Sequence, residues 1–227
     1  EPSGARTCGH MCERGVGFLA RHGHGHTIPP HRVNYRANIM ALKRAGAKEI
    51  VSVASVGSIR CDLSPGTLVV PHQIIDYTWG RKSTMFDGNG TPVTHVDFTE
   101  PYDGELRRRI LAAGRQLSID IKVDAVYAAT QGPRLETAAE VNRLERDGAD
   151  VVGMTGMPEA ILARELGLPY AAINVVANHA AGRGSSVNGI HFESLEPVLH
   201  GAMGRVKAIV EKLVGSADSC QPMGMSV

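Results

Sequence analysis

Apolar positions along this chain fall into two alternating rhythms. Short runs of β-branched and small residues predict buried strands: Phe18-Leu19-Ala20, Ile50 to Val56, Thr67 to Val70, Ile74-Ile75, Val123 to Ala129, Ala149 to Val152 and Tyr170 to Val176. Between them the apolar residues recur at helical spacing, which predicts helices over Asn34 to Ala45, Glu105 to Leu117, Glu136 to Asp147, Ala160 to Leu166 and about Glu193 to Leu213. Gly46 stands where the first helix should stop, and Pro29-Pro30 forbids helix just ahead of it. Strands alternating with helices predict an α/β fold in which helices cover a mostly parallel sheet. No internal repeat or linker interrupts the pattern, so residues 1–227 read as one domain, with Ser216 to Val227 as a loose tail.

The polar residues of interest follow the strand runs. Gly153-Met154-Thr155-Gly156-Met157-Pro158-Glu159 reads as a sharp turn between a strand and a helix, with Pro158 at the first helical position. Backbone N–H groups and the positive end of a helix dipole gathered beside the Thr155 hydroxyl form an anion seat. An ordinary joint with a capping threonine is the plain alternative. Arg21-His22, Ser55, Glu136 and Asn178 stand just after other strand runs, and the C-terminal ends of strands are where open α/β sheets bind ligands. In Arg21-His22-Gly23-His24-Gly25-His26, the spacing of the histidines admits a metal set on an extended chain, or an anion held by Arg21 and His22. The lack of adjacent carboxylates or thiolates weighs against metal, and a basic surface loop is the simplest reading. Arg81 to Asp97 is a long connection of the kind that usually serves function or an interface; His95 near its end, taken alone, reads as a hydrogen-bonded structural histidine.

Composition narrows the class. With 24 Lys+Arg against 23 Asp+Glu the formal charge is +1, so no overall field recruits nucleic acid or an anionic membrane. No apolar run approaches the roughly 20 residues a bilayer requires. No leader pattern is present, so a cytoplasmic enzyme or binding protein is expected. Cys8, Cys12, Cys61 and Cys220 are scattered and make no disulfide framework; Cys8 and Cys12 flank His10 without a second ligand pair, so reduced thiols and no metal are expected.

Four segments occurring together and in order carry a resemblance: Arg21-His22-Gly23, His31 to Asn38, Gly132-Pro133-Arg134-Leu135-Glu136-Thr137, and Gly153 to Glu159. Over nearly everything from Phe18 to Leu213 the chain resembles the trimeric purine nucleoside phosphorylase and methylthioadenosine phosphorylase family. The resemblance implies an α/β fold with a central mixed, partly barrel-like sheet flanked by helices. It also implies a homotrimer, inorganic phosphate as co-substrate, and no metal or organic cofactor. The implied reaction is phosphorolysis of the bond between purine and ribose C1', a chemistry of positioning and electrostatics.

By the same resemblance, Arg21, His22 and Thr155 hold phosphate with the Ser55 backbone beside them. Met154 packs under the ribose and Leu135 stacks on the purine, while His95 reaches a neighbouring subunit's site. A carboxylate only accepts, so Glu136 suits the N1–H of a 6-oxopurine, and the Asn178 amide can donate to N7 or O6 of the departing base. Relatives that cleave adenine nucleosides carry a serine and two aspartates here, one of them where this chain has Ala180. Phe192 and Leu195 make an apolar 5' wall that suits a methylthio group, where ordinary purine nucleoside phosphorylases place a histidine; the plain alternative is that Phe192 packs the last helix against the sheet. Two departures stand out: nothing before Phe18 matches the family's Gly-Gly-Thr/Ser-Gly phosphate loop, and Ala54 replaces a usual threonine or asparagine. Either the chain is trimmed or its phosphate site is incomplete. Other purine nucleosides as substrate, or a nucleoside-binding protein without turnover, are the alternatives.

Overall fold

The strand-like runs assemble into one mixed sheet whose two edges are brought together by the chain itself. The computed structural model describes residues 9–11, 15–88, 90 and 92–217. In chain order the elements are β1 (Gly9–Met11), β2 (Gly17–Leu19), α1 (Tyr35–Arg44), β3 (Ile50–Ser58), β4 (Leu68–Val69), β5 (Gln73–Asp76), α2 (Gly104–Gln116), β6 (Ile121–Lys122), β7 (Val126–Ala129), α3 (Ala138–Arg146), β8 (Val151–Gly153), α4 (Gly156–Glu165), β9 (Tyr170–His179) and α5 (Leu195–Ala217). β1 and β2 form a small antiparallel ribbon, and the other seven strands form a sheet in the order β5-β7-β8-β3-β9-β4-β6.

The pairs β5/β7, β7/β8, β3/β9 and β4/β6 are parallel, whereas β3/β8 and β4/β9 are antiparallel. The sheet is mixed, as the resemblance implied, with four of its six pairs parallel. Its curvature follows from chain length. β4 and β5 stand near opposite ends of the strand order, yet only Val70, Pro71 and His72 separate them; only Val123 to Ala125 separate β6 from β7. In a flat sheet either pair would stand five spacings apart, about 24 Å at ~4.8 Å per strand, and four residue steps reach only about 14 Å. The sheet must curl so that β4 approaches β5 and β6 approaches β7, and it forms a half-barrel. Hydrogen bonds from Val70 N to Lys122 O (2.8 Å) and His72 N to Ala125 O (3.0 Å) line these crossings.

Helices cover both faces. Leu106, Ile110 and Ala113 of α2 pack with Val206 and Ile209 of α5 against Ile173 and Val175. On the other face Tyr35 and Ile39 of α1 join Leu162 and Ala163 of α4 over Val56 and Tyr170. Side chains satisfy the helix starts: Asn34 caps α1, Asp103 caps α2, and Thr137 with Glu140 forms a capping box on α3.

Several predicted bounds shift. Residues 123–125 leave the strand because they cross between sheet edges, and β3 runs on to Ser58 because β9 and β8 pair with its end. α5 starts two residues later than predicted and continues through Ala217, so Ser216 and Ala217 are helical rather than tail; the remainder of the predicted tail, 218–227, lies outside the described residues. The stretch from Glu1 to Gly17, which shows no period, contributes β1. Cys8, Cys12 and Cys220 lie outside the described residues; Cys61 is an exposed free thiol.

Candidate functional site

The antiparallel pairing of β3 with β8 decides where the site forms. Gly57 pairs with Val152 and Ser58 with Val151. Continuing that register past the end of β8 carries Met154 and Thr155 back toward Ser55 and Ala54. Thr155 is thus carried back along β3, whose middle Arg21 also reaches through Ser52 and Val53, rather than left at a shared strand end. Ser55 itself is exposed within β3, so its predicted position at a strand terminus is corrected.

Arg21 follows β2 and reaches across to this region. Its Nε and Nη2 donate to the two Glu159 carboxylate oxygens (both 2.9 Å), Nη2 also to Ser52 Oγ (2.7 Å), and Nη1 to Val53 O (3.0 Å). Glu159 accepts further from Tyr170 Oη (2.8 Å) and Ser52 Oγ (3.2 Å) and is 5 % exposed. Burial opposes the Arg21 charge, but the Glu159 carboxylate outweighs it and holds the guanidinium protonated. Four of its five N–H groups are committed, which leaves one Nη1 hydrogen for a ligand.

His22 lies in a turn, not on the extended chain that the metal alternative requires. Its Nδ1 is 2.8 Å from Ile28 O; a carbonyl only accepts, so Nδ1 carries the hydrogen and Nε2 is an acceptor when the ring is neutral. Burial depresses the His22 pKa, and His26, stacked on it at 4.4 Å, and Arg21 add to the effect; the Ile28 bond opposes it.

Thr155 is buried, and its side chain makes no capping bond to α4, so the capping alternative does not hold. The backbone N–H groups of Thr155 and Gly156 donate to Tyr127 Oη (3.2 and 3.4 Å). They are therefore occupied rather than open, which corrects the expected cluster of unpaired donors. Met157 is non-helical, so the regular helix begins at Pro158 after a cis Met157–Pro158 bond. Gly153 and Gly156 let the chain press onto the Tyr127 ring, where a Cβ would collide.

The segment from Thr130 to Thr137 borders a cleft. Thr130 Oγ1 donates to Glu136 Oε1 at 2.6 Å, and Glu136 lies on the wall of that cleft, which has a volume of about 470 Å³ and is lined also by Trp79, Gln131 and Gly132. Gly132 has a φ of +60° and sits directly against Met154. Leu135 is 37 % exposed beside it. Asn178 lies where β9 gains one residue relative to β3, since Val56 pairs with Val176 but Gly57 with Asn178. Such a bulge re-aims the following side chain. The Asn178 amide gives one hydrogen to His179 O (2.6 Å) and keeps one.

Of the site residues singled out in the sequence, only Glu136 lines this cleft; Arg21, His22, Ser55, Leu135, Met154, Thr155 and Asn178 lie outside its lining, as do His95, Phe192 and Leu195. His95 is exposed in the connection after β5, Phe192 is 66 % exposed in a short 3-10 turn, and Leu195 is half-buried at the start of α5. Two residues in the site carried no role in the sequence reading. Glu159 belongs to a quoted motif, but only the fold shows that it faces Arg21. Arg81 opens the long connection, and no periodicity marks it.

With this sheet and this cluster the chain matches the phosphorylase superfamily over residues 2–215 and belongs to that family. Its fold is that of the nucleoside phosphorylases. It is 50 % identical over 216 residues to a probable S-methyl-5'-thioinosine phosphorylase from Pseudomonas syringae pv. tomato, covering 95 % of this chain and 87 % of that one. It is 49 % identical over 181 residues to the 6-oxopurine nucleoside phosphorylase of Pyrococcus furiosus, covering 78 % of this chain and 68 % of the other. Among solved structures it resembles the methylthioadenosine phosphorylase from Schistosoma mansoni in complex with adenine, with a TM-score of 0.85, 32 % identity, and coverage of 90 % and 77 %.

Proposed function

We propose that this protein is a pentosyltransferase that splits S-methyl-5'-thioinosine with phosphate, giving hypoxanthine and 5-methylthioribose 1-phosphate. The observation that carries the reading is Glu136, an acceptor held at the cleft wall by the Thr130 hydroxyl. One oxygen is committed to Thr130, and the other suits a purine N1–H donor. Hypoxanthine offers that donor and adenine offers an acceptor instead. The similarity to the Pseudomonas and Pyrococcus relatives supports the same base preference.

In the reaction a phosphate oxygen attacks C1' as the N9–C1' bond breaks, and the purine leaves with that electron pair. Arg21, through its remaining Nη1 hydrogen, His22 and the Thr155 hydroxyl hold the phosphate. Asn178 uses its second amide hydrogen on N7 to spread the charge of the leaving base. Met154 supports the ribose and Leu135 the purine face. Preorganised hydrogen bonds of this kind act most strongly away from bulk water. Phe192 and Leu195 form the apolar 5' wall, and His95 completes the site of a neighbouring copy in a homotrimer. The exposure of His95, Trp79 (72 %) and Phe192 supports burial by such a neighbour. As part of this proposal the enzyme is cytoplasmic and uses no metal or organic cofactor.

The test is phosphate-dependent release of base from methylthioinosine, methylthioadenosine and inosine, compared by kcat/KM. Methylthioinosine should lead. A lead for methylthioadenosine would overturn the role of Glu136, and a lead for inosine would overturn the apolar 5' wall. Nucleoside binding with no release from any of the three would leave a binding protein.

A further inference from the structure

Arg81 donates to two segments that the proposed reaction must hold in register. Its Nε bonds Gln131 Oε1 (3.2 Å), and Nη2 bonds Thr130 O (3.2 Å) and Gln131 O (2.9 Å). Nη1 bonds Met154 O (2.8 Å) and Met157 O (2.6 Å), with Tyr35 Oη at 3.3 Å. The first three acceptors belong to the segment that leads into Leu135 and Glu136. The next two flank Thr155. A guanidinium has five N–H groups in a rigid fork, and these acceptors use all of them. Arg81 therefore has no donor left for a substrate, although it sits at the seam where Met154 packs on Gly132.

We propose that Arg81 is a positioning residue, a guanidinium clasp that fixes the base-reading segment 130–136 relative to the sugar and phosphate segment 154–157. The inference rests on the phosphorylase reading above and deepens it. Phosphorolysis requires the attacking oxygen, C1' and the leaving purine to be aligned, and a misplacement of about 1 Å between otherwise intact halves can cost ~10²-fold in rate. The clasp comes from the connection after β5, whose next residues are themselves anchored: Thr84 Oγ1 and Met85 N donate to Glu165 (2.7 and 2.6 Å), and Arg36 pairs with Asp87. The connection is thus a strut between α4, α1 and the cleft rather than a loose loop.

The experiment uses the full chain with Arg81→Lys and Arg81→Gln. Lysine keeps the charge but cannot serve both segments at once, so charge and geometry separate. Three quantities are read: kcat for methylthioinosine, the Kd of inorganic phosphate alone, and the emission of Trp79. Trp79 is the chain's single tryptophan, and its backbone N–H donates to Gln131 Oε1 at 3.1 Å, so it reports on the clasped segment without turnover. Both variants should lose about 10²-fold in kcat, keep the phosphate Kd within about twofold because no ligand contact is removed, and show shifted Trp79 emission. Wild-type kcat in Arg81→Lys would overturn the proposal, as would a phosphate Kd that weakens in step with kcat. If the wild-type protein itself turns over none of the nucleosides, the functional reading fails separately; unshifted emission in both variants would then still overturn the clasp.

Discussion

The sulfur of Met154 occupies the space in which a Cβ on Gly132 would stand, at a residue whose φ is +60°. This contact is where segment 130–136 meets segment 154–157, and it explains a glycine at that position on two grounds. An alanine would have to adopt a left-handed conformation, at about 1–2 kcal/mol. It would also displace Met154, and overpacking typically costs ~1–3 kcal/mol. Gly132→Ala should lower both Tm and kcat/KM, and adding Met154→Ala should restore part of the Tm. Thermal melts of the single and double variants check this; strictly additive losses would show that the two side chains do not compete for the same space.

Tyr127 sits beneath the turn that carries Thr155. Its hydroxyl accepts from Thr155 N and Gly156 N, both buried. Tyr127→Phe removes the acceptor and leaves those donors unpaired, with an expected loss of about 2 kcal/mol. An anion in the site could then take the two N–H groups, so added phosphate should raise the Tm of the variant more than that of the wild type. Equal shifts in the two proteins would place phosphate away from this turn.

Glu136 is the proposed reader of purine polarity. Glu136→Gln puts a donor where only acceptors stood, so kcat/KM for methylthioinosine should fall by at least ~10²-fold, with a smaller fall for methylthioadenosine. Thr130→Val removes only the bond that orients Glu136; a loss of about tenfold is expected, equivalent to ~1.4 kcal/mol. Base release from both nucleosides measures the ratio. An unchanged preference in Glu136→Gln would assign base recognition elsewhere.

The depressed pKa of His22 has a sign that can be checked. Above its ordinary value of about 6.5 the ring is neutral whether the chain is folded or not, so it contributes nothing to pH dependence there. As pH falls below that value the unfolded chain takes up the proton first, and folded stability is lost until the lowered native pKa is passed. A bound phosphate offers negative charge to the ring and raises its pKa, which offsets this loss. Phosphate should therefore raise Tm more at pH 5.5 than at pH 8, and His22→Gln should flatten the difference. The same phosphate shift at both pH values in the wild type would remove His22 from the anion site.

Much of this was legible in the sequence because the deciding forces are local. The order of strands and helices follows from apolar spacing, and Asn34, Asp103 and Thr137 cap the helices they precede because capping involves only neighbouring residues. The four motifs also identify the family, since their spacing and order are properties of the chain itself. What the sequence could not determine depends on partners far apart along it. Residues 123–125 read as strand and 71–73 as an ordinary break, until the strand order shows that 70–72 and 123–125 join opposite sides of the sheet and curl it. The bidentate grip of Glu159 on Arg21 spans 138 residues, and the reach of Arg81 to Met157 spans 76. Neither leaves any periodicity, because a charge among carbonyls or opposite one carboxylate is defined by the neighbours that folding brings to it. The sequence therefore determined the elements and the family, while the tertiary structure decided how the curled sheet turns β8 back along β3 and which side chains hold the site in place.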